Sequence, residues 1–511
     1  MSPFTILPVL LPLIGGILML MARPIGIDTQ RILSLILTTL LVGVSPVSFQ
    51  LANSEIYQVV LLGNWQAPFG IVIVLDRLSA LMLLLTSLLA LGALWYAIRT
   101  DTDTDKQGQH FHVLFQLQLF GLNGAFMTGD VFNLFVFFEV LLIASYGLLL
   151  HGGGRLRTRA GLHYVVINLV GSTLFLFAVG TLYGILGTLN IADMAIAVRN
   201  VSEADQGIVA TAAVLLLVVF GIKAAMFPLY LWLPGAYAYT SAPVAALFAI
   251  MTKVGLYAII RVHGTIFSEE AGDLAFVHIE WVLLLGLITL ALAALGVLAA
   301  RALRRQVAYL ILASVATLMI AIGINNEAAL AASLYYLIHS TMLGAAMFLI
   351  ADVIMKGRGI YSDSFTKAIP IDRPIIVGSV FMLLGIALTG MPPLSGFFGK
   401  VMILHSALNH PWFAAILSVI LTAGLVMIIA VVRSGSLLFY SVQKEEGQKT
   451  SPLNKSAFVA VFLLMLVSPL MVMFAKPLTD MTTQIAGQLF NGQAYIDAVL
   501  STVPYGGDNS K

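Results

Sequence analysis

Apolar positions along the chain fall in long unbroken blocks, neither alternating as in strands nor striped as on a surface helix. A membrane-crossing helix needs about 20 mostly apolar residues. Fourteen runs meet that need, near 3–22, 31–52, 75–98, 111–128, 131–150, 161–187, 208–233, 242–263, 277–300, 307–324, 329–355, 374–405, 412–440 and 456–475. Two contain helix breakers: Pro228 and Pro234 in the seventh, and Pro392 and Pro393 within the MPPLSG stretch 391–396 of the twelfth. The stretch 57–73 alternates only weakly and carries Gly63, Pro68 and Gly70, which predicts an ordered external loop. The pattern predicts an all-α polytopic membrane protein of about 14 helices, with helices 7 and 12 broken.

Composition agrees. The 511 residues are 60% hydrophobic and 10% charged, against roughly 45–50% and 25% for ordinary soluble domains. So little charge could not cover the surface of a soluble fold this large. A net charge of +2 with scattered basic residues gives no footprint for nucleic acid. The chain has no cysteine, which removes disulfides, thiolate metal sites and cysteine nucleophiles together. Residues 1–21 lack a basic leader and a small-residue cleavage site, so a retained first span is expected, not a signal peptide.

Basic residues set the orientation. Loops after odd-numbered runs hold Arg23 and Arg31; Arg99 and Lys106; Arg155, Arg157 and Arg159; Arg301, Arg304 and Arg305; Lys356, Arg358, Lys367 and Arg373; then Arg433, Lys444, Lys449 and Lys455. Loops after even runs hold little beyond Arg77, Arg199 and Arg261. Both termini are therefore expected outside and the odd loops in the cytoplasm. The acidic stretch Asp101–Asp105 reads as a solvated linker there. The tail after Ala475 carries Ile485, Leu489, Phe490, Tyr495, Ile496 and Val499, and is expected on the outer membrane surface or on a partner.

Once the loops are assigned, Glu139, Lys223, Lys253, His339 and Lys400 remain inside apolar runs. A charge at the bilayer centre costs roughly 2.5–3.5 kcal/mol on insertion scales. A single one reads as well as a buried packing pair; five, with lysines on three separate runs, read as a proton path. Desolvation disfavours a charged lysine and a nearby carboxylate restores it, so moving the carboxylate can switch proton binding. Histidine exchanges protons near neutrality without such help.

Proline breaks belong to the same picture. Pro228 frees the carbonyl of Ala224, beside Lys223, and the 392–393 pair frees those of Leu388 and Thr389, two turns before Lys400. Unpaired backbone at membrane depth is tolerated only inside protein or beside a wet cavity. Two interrupted runs five apart, each with a lysine, predict inverted five-helix repeats, spans 4–8 and 9–13. The expected organisation is then residues 1–110 for spans 1–3, 111–263 and 277–440 for the two repeats, and 456–511 for span 14 and the tail.

Other motifs fail. The HGGG segment 151–154 has no accompanying G-x-S-x-G elbow and reads as a turn. His110 and His112 lack any metal-ligand pattern, and no P-loop or dinucleotide fingerprint exists, so no cofactor is expected and no metal is assigned.

The block TGDVFNLFVFFEVLLIASYG at 128–147 closely resembles the fifth-span signature of the D-type chain of Mrp-type multisubunit cation/proton antiporters. GIKAAMFPLYLWLPGAYA at 221–238, TKVGLY at 252–257 and MPPLSGFFGK at 391–400 resemble blocks of the wider superfamily, which includes antiporter-like subunits of respiratory complex I and of membrane hydrogenases. The GNWQAPFG loop at 63–70 and the AYIDAVL tail at 494–500 also resemble the D-type chain. The resemblance implies Glu139 and Lys223 as the essential charge pair, Lys253 and His339 as the axis between half-channels, and Lys400 as the terminal lysine. It also implies a bacterial cell (inner) membrane, partner Mrp antiporter subunits of the A, B, C, E, F and G types, and export of Na+ or K+ in exchange for protons.

Two competing readings make different forecasts. A redox-driven pump subunit of complex I or a hydrogenase would share this path but sit beside quinone-binding and iron–sulfur partners. A structural scaffold without transport would tolerate replacement of all five groups with little loss of ion flux.

Overall fold

The computed structural model describes residues 3–54, 57–100, 110–442 and 452–504. The acidic stretch Asp101–Asp105 and the loop lysines Lys106, Lys444 and Lys449 lie outside the described residues.

Helices dominate, in the order the apolar blocks dictate. The first six are α1 (Leu7–Met21), α2 (Ile27–Ser54), α3 (Arg77–Thr100), α4 (Phe111–Met127), α5 (Val131–Leu150) and α6 (Arg155–Leu186). A short amphipathic α7 (Ile191–Arg199) precedes α8 (Glu203–Lys223), α9 (Trp232–Tyr239), α10 (Ala242–Phe248), α11 (Met251–Ala258) and the single turn α12 (Gly264–Ile266). Then follow α13 (Ile279–Ala299), α14 (Leu303–Gly323), α15 (Glu327–Gly357), α16 (Pro374–Thr389), α17 (Ser395–Ser406), α18 (Phe413–Phe439), α19 (Lys455–Met473), α20 (Ala475–Phe490) and α21 (Gly492–Leu500). Among the described residues, 12 stretches are helical, long and apolar enough to cross a membrane. The other two expected runs correspond to α4, which has 17 residues, and to the broken pair α16 and α17.

Polar residues start these helices where the chain must turn. Asp130, Asn190, Asn326 and Asn454 each accept a backbone N–H at the head of α5, α7, α15 and α19, supplying partners that the first turn lacks. Gly152, Gly153 and Gly154 all have positive φ in the turn from α5 to α6, a conformation glycine adopts without penalty. At the end of α15, buried Arg358 donates to the carbonyls of Ser362, Ser364 and Thr366 and so ties down the following loop.

The centre consists of the stretch Ala242–Ile266 with α14 and α15, whose windows are 94% buried against 39% for α1, α6 and α18. Helix α14 packs on α9 and α11, and α15 packs on α10 and α17. The middle of the molecule therefore joins both broken regions.

Three expectations change in detail. The stretch 57–73 does hold an ordered connection, but one built as an antiparallel hairpin, β1 (Gln58–Leu61) with β2 (Val72–Leu75), Gln58 opposite Leu75. Its alternation is real, since Val59 and Leu61 are buried. The tail covers its own chain: Ile485, Tyr495, Ile496 and Val499 are buried, with α20 on α15 and α21 on α7, while Phe490 stays 47% exposed. Arg261 is no loop residue. It lies inside the Ala242–Ile266 stretch, buried, with its guanidinium 2.5 Å from the Asp76 carboxylate.

Candidate functional site

The cap that starts α5 also sets the first site residue. Asp130 Oδ1 accepts from Asn133 N at 2.7 Å, and Asn133 Nδ2 donates to Thr128 Oγ1 at 2.9 Å. Nine residues beyond Asp130, Glu139 is half-buried on the side facing α6, where Ser172 Oγ donates to its Oε1. That same hydroxyl lies 3.1 Å from the carbonyl of Asn168, so its one hydrogen has two acceptors.

Lys223 is the last residue of α8 and is 8% exposed. Its Nζ donates to Asn168 Oδ1 at 3.1 Å, and Asn168 Nδ2 in turn donates to the carbonyl of Tyr164 at 2.8 Å. Among the described residues no ion pair within 4.0 Å joins Glu139 to Lys223. Asn168 and Ser172, one turn apart on α6, stand between them instead. The Phe138 ring lies 5.9 Å from Lys223 Nζ, and a cavity of about 20 Å³ opens beside the amine against Tyr164, Trp232 and Met251. A cavity that size admits one water.

The break in the seventh run comes earlier than the prolines. Helix α8 ends at Lys223, Ala225 takes φ +56°, and Pro228 follows in the turn. Pro234 does not break a helix; it lies in the first turn of α9, where proline's missing N–H costs nothing. Freed backbone groups find side chains: Trp232 Nε1 donates to the carbonyl of Ile222 at 3.1 Å, and Phe227 N donates to Thr289 Oγ1 at 2.9 Å. Gly255 lets α11 touch this break. A Cβ there would come 2.5 Å from Ala224 N and 2.9 Å from Lys223 C.

Two residues before Gly255, Lys253 is fully buried, and its Nζ has no hydrogen-bond partner among the described residues. The structure does not bond Lys253 to any other candidate. An unpaired buried ammonium is costly, which suits a transient charge. The run around it is interrupted twice without proline, at Ala249–Ile250 and by a π-helical segment, Ile259–His263. Such segments are frequent at functional sites.

In the second half, His339 on α15 lies with Nδ1 2.7 Å from Ser395 Oγ, and Ser395 Oγ is 2.8 Å from Ser468 Oγ. Gly396 permits this approach, since a Cβ there would collide with the carbonyl of Ala387 and come 2.7 Å from His339 Nε2. Pro392 and Pro393 sit in the turn between α16 and α17. Lys400 Nζ donates to the Thr389 carbonyl at 2.7 Å, one of the two carbonyls whose helical partner the prolines remove.

Sequence reasoning missed other buried polar groups. Asp76 and Arg261 form an ion pair flanked by the rings of Tyr257 and Tyr495, 5.6 and 5.4 Å from the guanidinium. Arg261 sits inside an apolar run, which was the available signal. His263 and His278 are buried with ring centroids 4.9 Å apart. Asn168 and Ser172, at i and i+4, lie on the buried stripe of α6, a helix whose other faces are largely exposed. Among the described residues, no group of three or more His, Asp or Glu side chains gathers closely enough to hold a metal ion.

Comparison with known proteins gives the site its context. Residues 128–426 match the family described as NADH:quinone oxidoreductase/Mrp antiporter, TM. The chain is 42% identical to the D-type chain of the "Probable K(+)/H(+) antiporter" of Rhizobium meliloti (strain 1021), over 80% of this chain and 79% of that protein. It is 35% identical to the D-type chain of the Na(+)/H(+) antiporter of Bacillus subtilis (strain 168), over 98% and 100%. Its fold matches a chain of the archaeal membrane-bound sulfane sulfur reductase, at TM-score 0.87 and 22% identity over 98% and 100% of the two chains. It likewise matches a chain of the Mrp complex from Dietzia sp. DQ12-45-1b, at TM-score 0.82 and 24% identity over 98% and 100%. With its broken helices, buried lysines and full-length relatives, the chain belongs to the D-type family of Mrp cation/proton antiporter subunits.

Proposed function

We propose that this subunit carries protons through the membrane part of a multisubunit exchanger, which exports Na+ or K+ in return. Chains of this family are transporter components, not enzymes. The proton-transferring groups are Glu139, Lys223, Lys253, His339 and Lys400. One observation carries the reading: at the end of a broken helix, beside room for a water, Lys223 binds the side-chain amide of Asn168, whose backbone carbonyl shares the Ser172 hydroxyl with Glu139.

The chemistry follows from that link. Asn168 Oδ1 accepts from Lys223 whether the amine is charged or neutral, so the side chain keeps its place while a proton leaves. Ser172 can donate to Glu139 or to its own helix, and so senses the charge on the carboxylate. In the second half, the Ser395 and Ser468 hydroxyls both donate and accept, giving His339 partners that can pass a proton. Lys400, held on a single carbonyl, is the terminal group.

Fourteen membrane crossings in a bacterial inner membrane, with both ends outside, belong to the same reading. Residues 111–263 and 277–440 are then inverted repeats, flanked by an N-terminal block at 1–110 and a closing span and tail at 456–511. The A, B, C, E, F and G chains of an Mrp antiporter are the partners. Full-length relatives named as D-type antiporter chains favour this over a redox-driven pump.

Sodium-dependent proton flux in proteoliposomes tests it, using the assembled complex and the single chain. Coupled exchange by the complex and none by the chain alone is the expected result. Robust exchange by the single chain, or an assembled complex that exchanges ions without this chain, would refute it.

A further inference from the structure

The lysine path lies at mid-depth and needs a way to one face of the molecule. We propose that His278 and His263 form that port: a two-imidazole relay between the cavity beneath the C-terminal tail and the buried lysines. The inference rests on the proton-carrying role proposed above.

The cavity measures about 390 Å³ and is lined by His278, Glu269, Glu270, Asn325 and Asn326, with Phe490 of the tail at its edge. His278 is 2% exposed and makes no side-chain hydrogen bond among the described residues. Its ring lies 4.9 Å, centroid to centroid, from that of His263, which is fully buried.

The tautomer of His263 follows from its partner. Its Nε2 is 2.9 Å from the carbonyl of Ala213 on α8. A carbonyl only accepts, so Nε2 carries the hydrogen of the neutral ring and Nδ1 keeps a free lone pair. No donor reaches that Nδ1 among the described residues. A buried base without a donor, in ring contact with a second imidazole that lines a cavity, is the arrangement a proton relay requires.

Proton balance is simple. A proton from cavity water binds His278 and then passes to Nδ1 of His263, and His278 returns to its neutral form. A protonated water in the cavity loses one O–H bond as the His278 N–H bond forms, and that N–H bond breaks as the one on His263 forms. His263 closes the π-helical segment, ten residues beyond Lys253 on the same interrupted helix, about 15 Å along its axis at 1.5 Å per residue. Ala213 lies the same ten residues before Lys223 on α8. The pair thus occupies the stretch between the mid-depth amines and the tail-side face.

Charged residues on the surrounding elements are Asp193 and Arg199 on α7, Glu203 and Asp205 on α8, Glu269, Glu270 and Asp273 in the following loop, Glu280 on α13, Glu327 on α15, Lys476 and Asp480 on α20, and Asp497 on α21. Glu270 is ion-paired with Arg199. Among the described residues no carboxylate oxygen lies within 4.0 Å of either imidazole. The relay therefore titrates against cavity water and not against a fixed counter-ion.

The test uses the assembled complex in sealed vesicles, with cation-driven proton flux normalised to complex yield. His278→Gln and His263→Gln keep polar side chains of similar reach but cannot carry a proton. Each is expected to lower flux at least tenfold at normal yield, and His278→Glu, which can carry one, to restore much of the loss with a shifted pH profile. Equal loss in His278→Gln and His278→Glu, or loss only in proportion to yield, would overturn the relay. Glu139→Gln run beside them separates the two levels. An inactive Glu139→Gln with fully active histidine variants overturns the port alone; full flux in all of them overturns the parent reading as well.

Discussion

Asn168 Oδ1 accepts a hydrogen bond from Lys223 Nζ at 3.1 Å, which places an α6 amide where a direct carboxylate contact was expected. On the proposed reading, coupling between Glu139 and Lys223 runs through the Ser172 hydroxyl and through Asn168, whose backbone carbonyl meets that hydroxyl and whose side chain meets the lysine. Such a link holds geometry without fixing charge.

On the proposed reading, that link gives Asn168 a part in transport. Asn168→Leu removes the lysine's hydrogen-bond acceptor, and bonds to charged groups are worth about 1.5–3 kcal/mol, so flux should fall roughly tenfold to hundredfold while the chain still assembles. Asn168→Asp places a carboxylate on the lysine and should slow proton release just as firmly. Vesicle flux per assembled complex checks both. Unchanged flux in either variant would remove Asn168 from the path.

Gly255 should prove essential for a different reason. The added Cβ of Gly255→Ala would press on the backbone of Ala224 and Lys223, and overpacking of this kind costs about 1–3 kcal/mol. Lower complex yield and a lower melting temperature are expected. Gly207→Ala, near the start of α8 with open space around it, should leave both unchanged.

The Asp76–Arg261 pair is predicted to act in stability and not in transport. Removing one partner of a buried pair costs about 3–5 kcal/mol, whereas replacing both with apolar residues is often neutral. Asp76→Leu or Arg261→Met alone should abolish assembly, and the double variant should recover most of it. Thermal melts of detergent-solubilised complex measure this; additive losses would contradict it.

Much of the helix order was legible because apolar blocks of membrane length leave the chain few alternatives. What stayed hidden depends on tertiary contacts. Pro228 marked the break, yet α8 ends five residues earlier, where Trp232 and Thr289 take over the freed backbone groups. Pro234 misled because proline in a first turn and proline at a break look alike in sequence. The interruptions at Ala249–Ile250 and Ile259–His263 contain no proline at all. Of the site, the charged members stood out by their cost in an apolar run. The neutral connectors Asn168, Ser172, Ser395 and Ser468 did not, because polar neutral residues are ordinary in membrane helices.

Orientation can be read with introduced cysteines, since the chain has none of its own. Thr158, exposed at the start of α6, and Ser501, exposed after α21, should label from opposite faces: Thr158→Cys from the cytoplasm and Ser501→Cys from outside. Labelling of both from one face would overturn the proposed topology.

The central claim is that Glu139 controls proton transfer at Lys223 through α6, and Glu139→Gln tests it most directly. The substitution keeps the shape and an acceptor for Ser172 but removes the charge. Proton flux and complex yield are measured together in vesicles. The account predicts that flux is lost while yield stays normal; normal flux, or flux that falls only as far as the yield does, would contradict it.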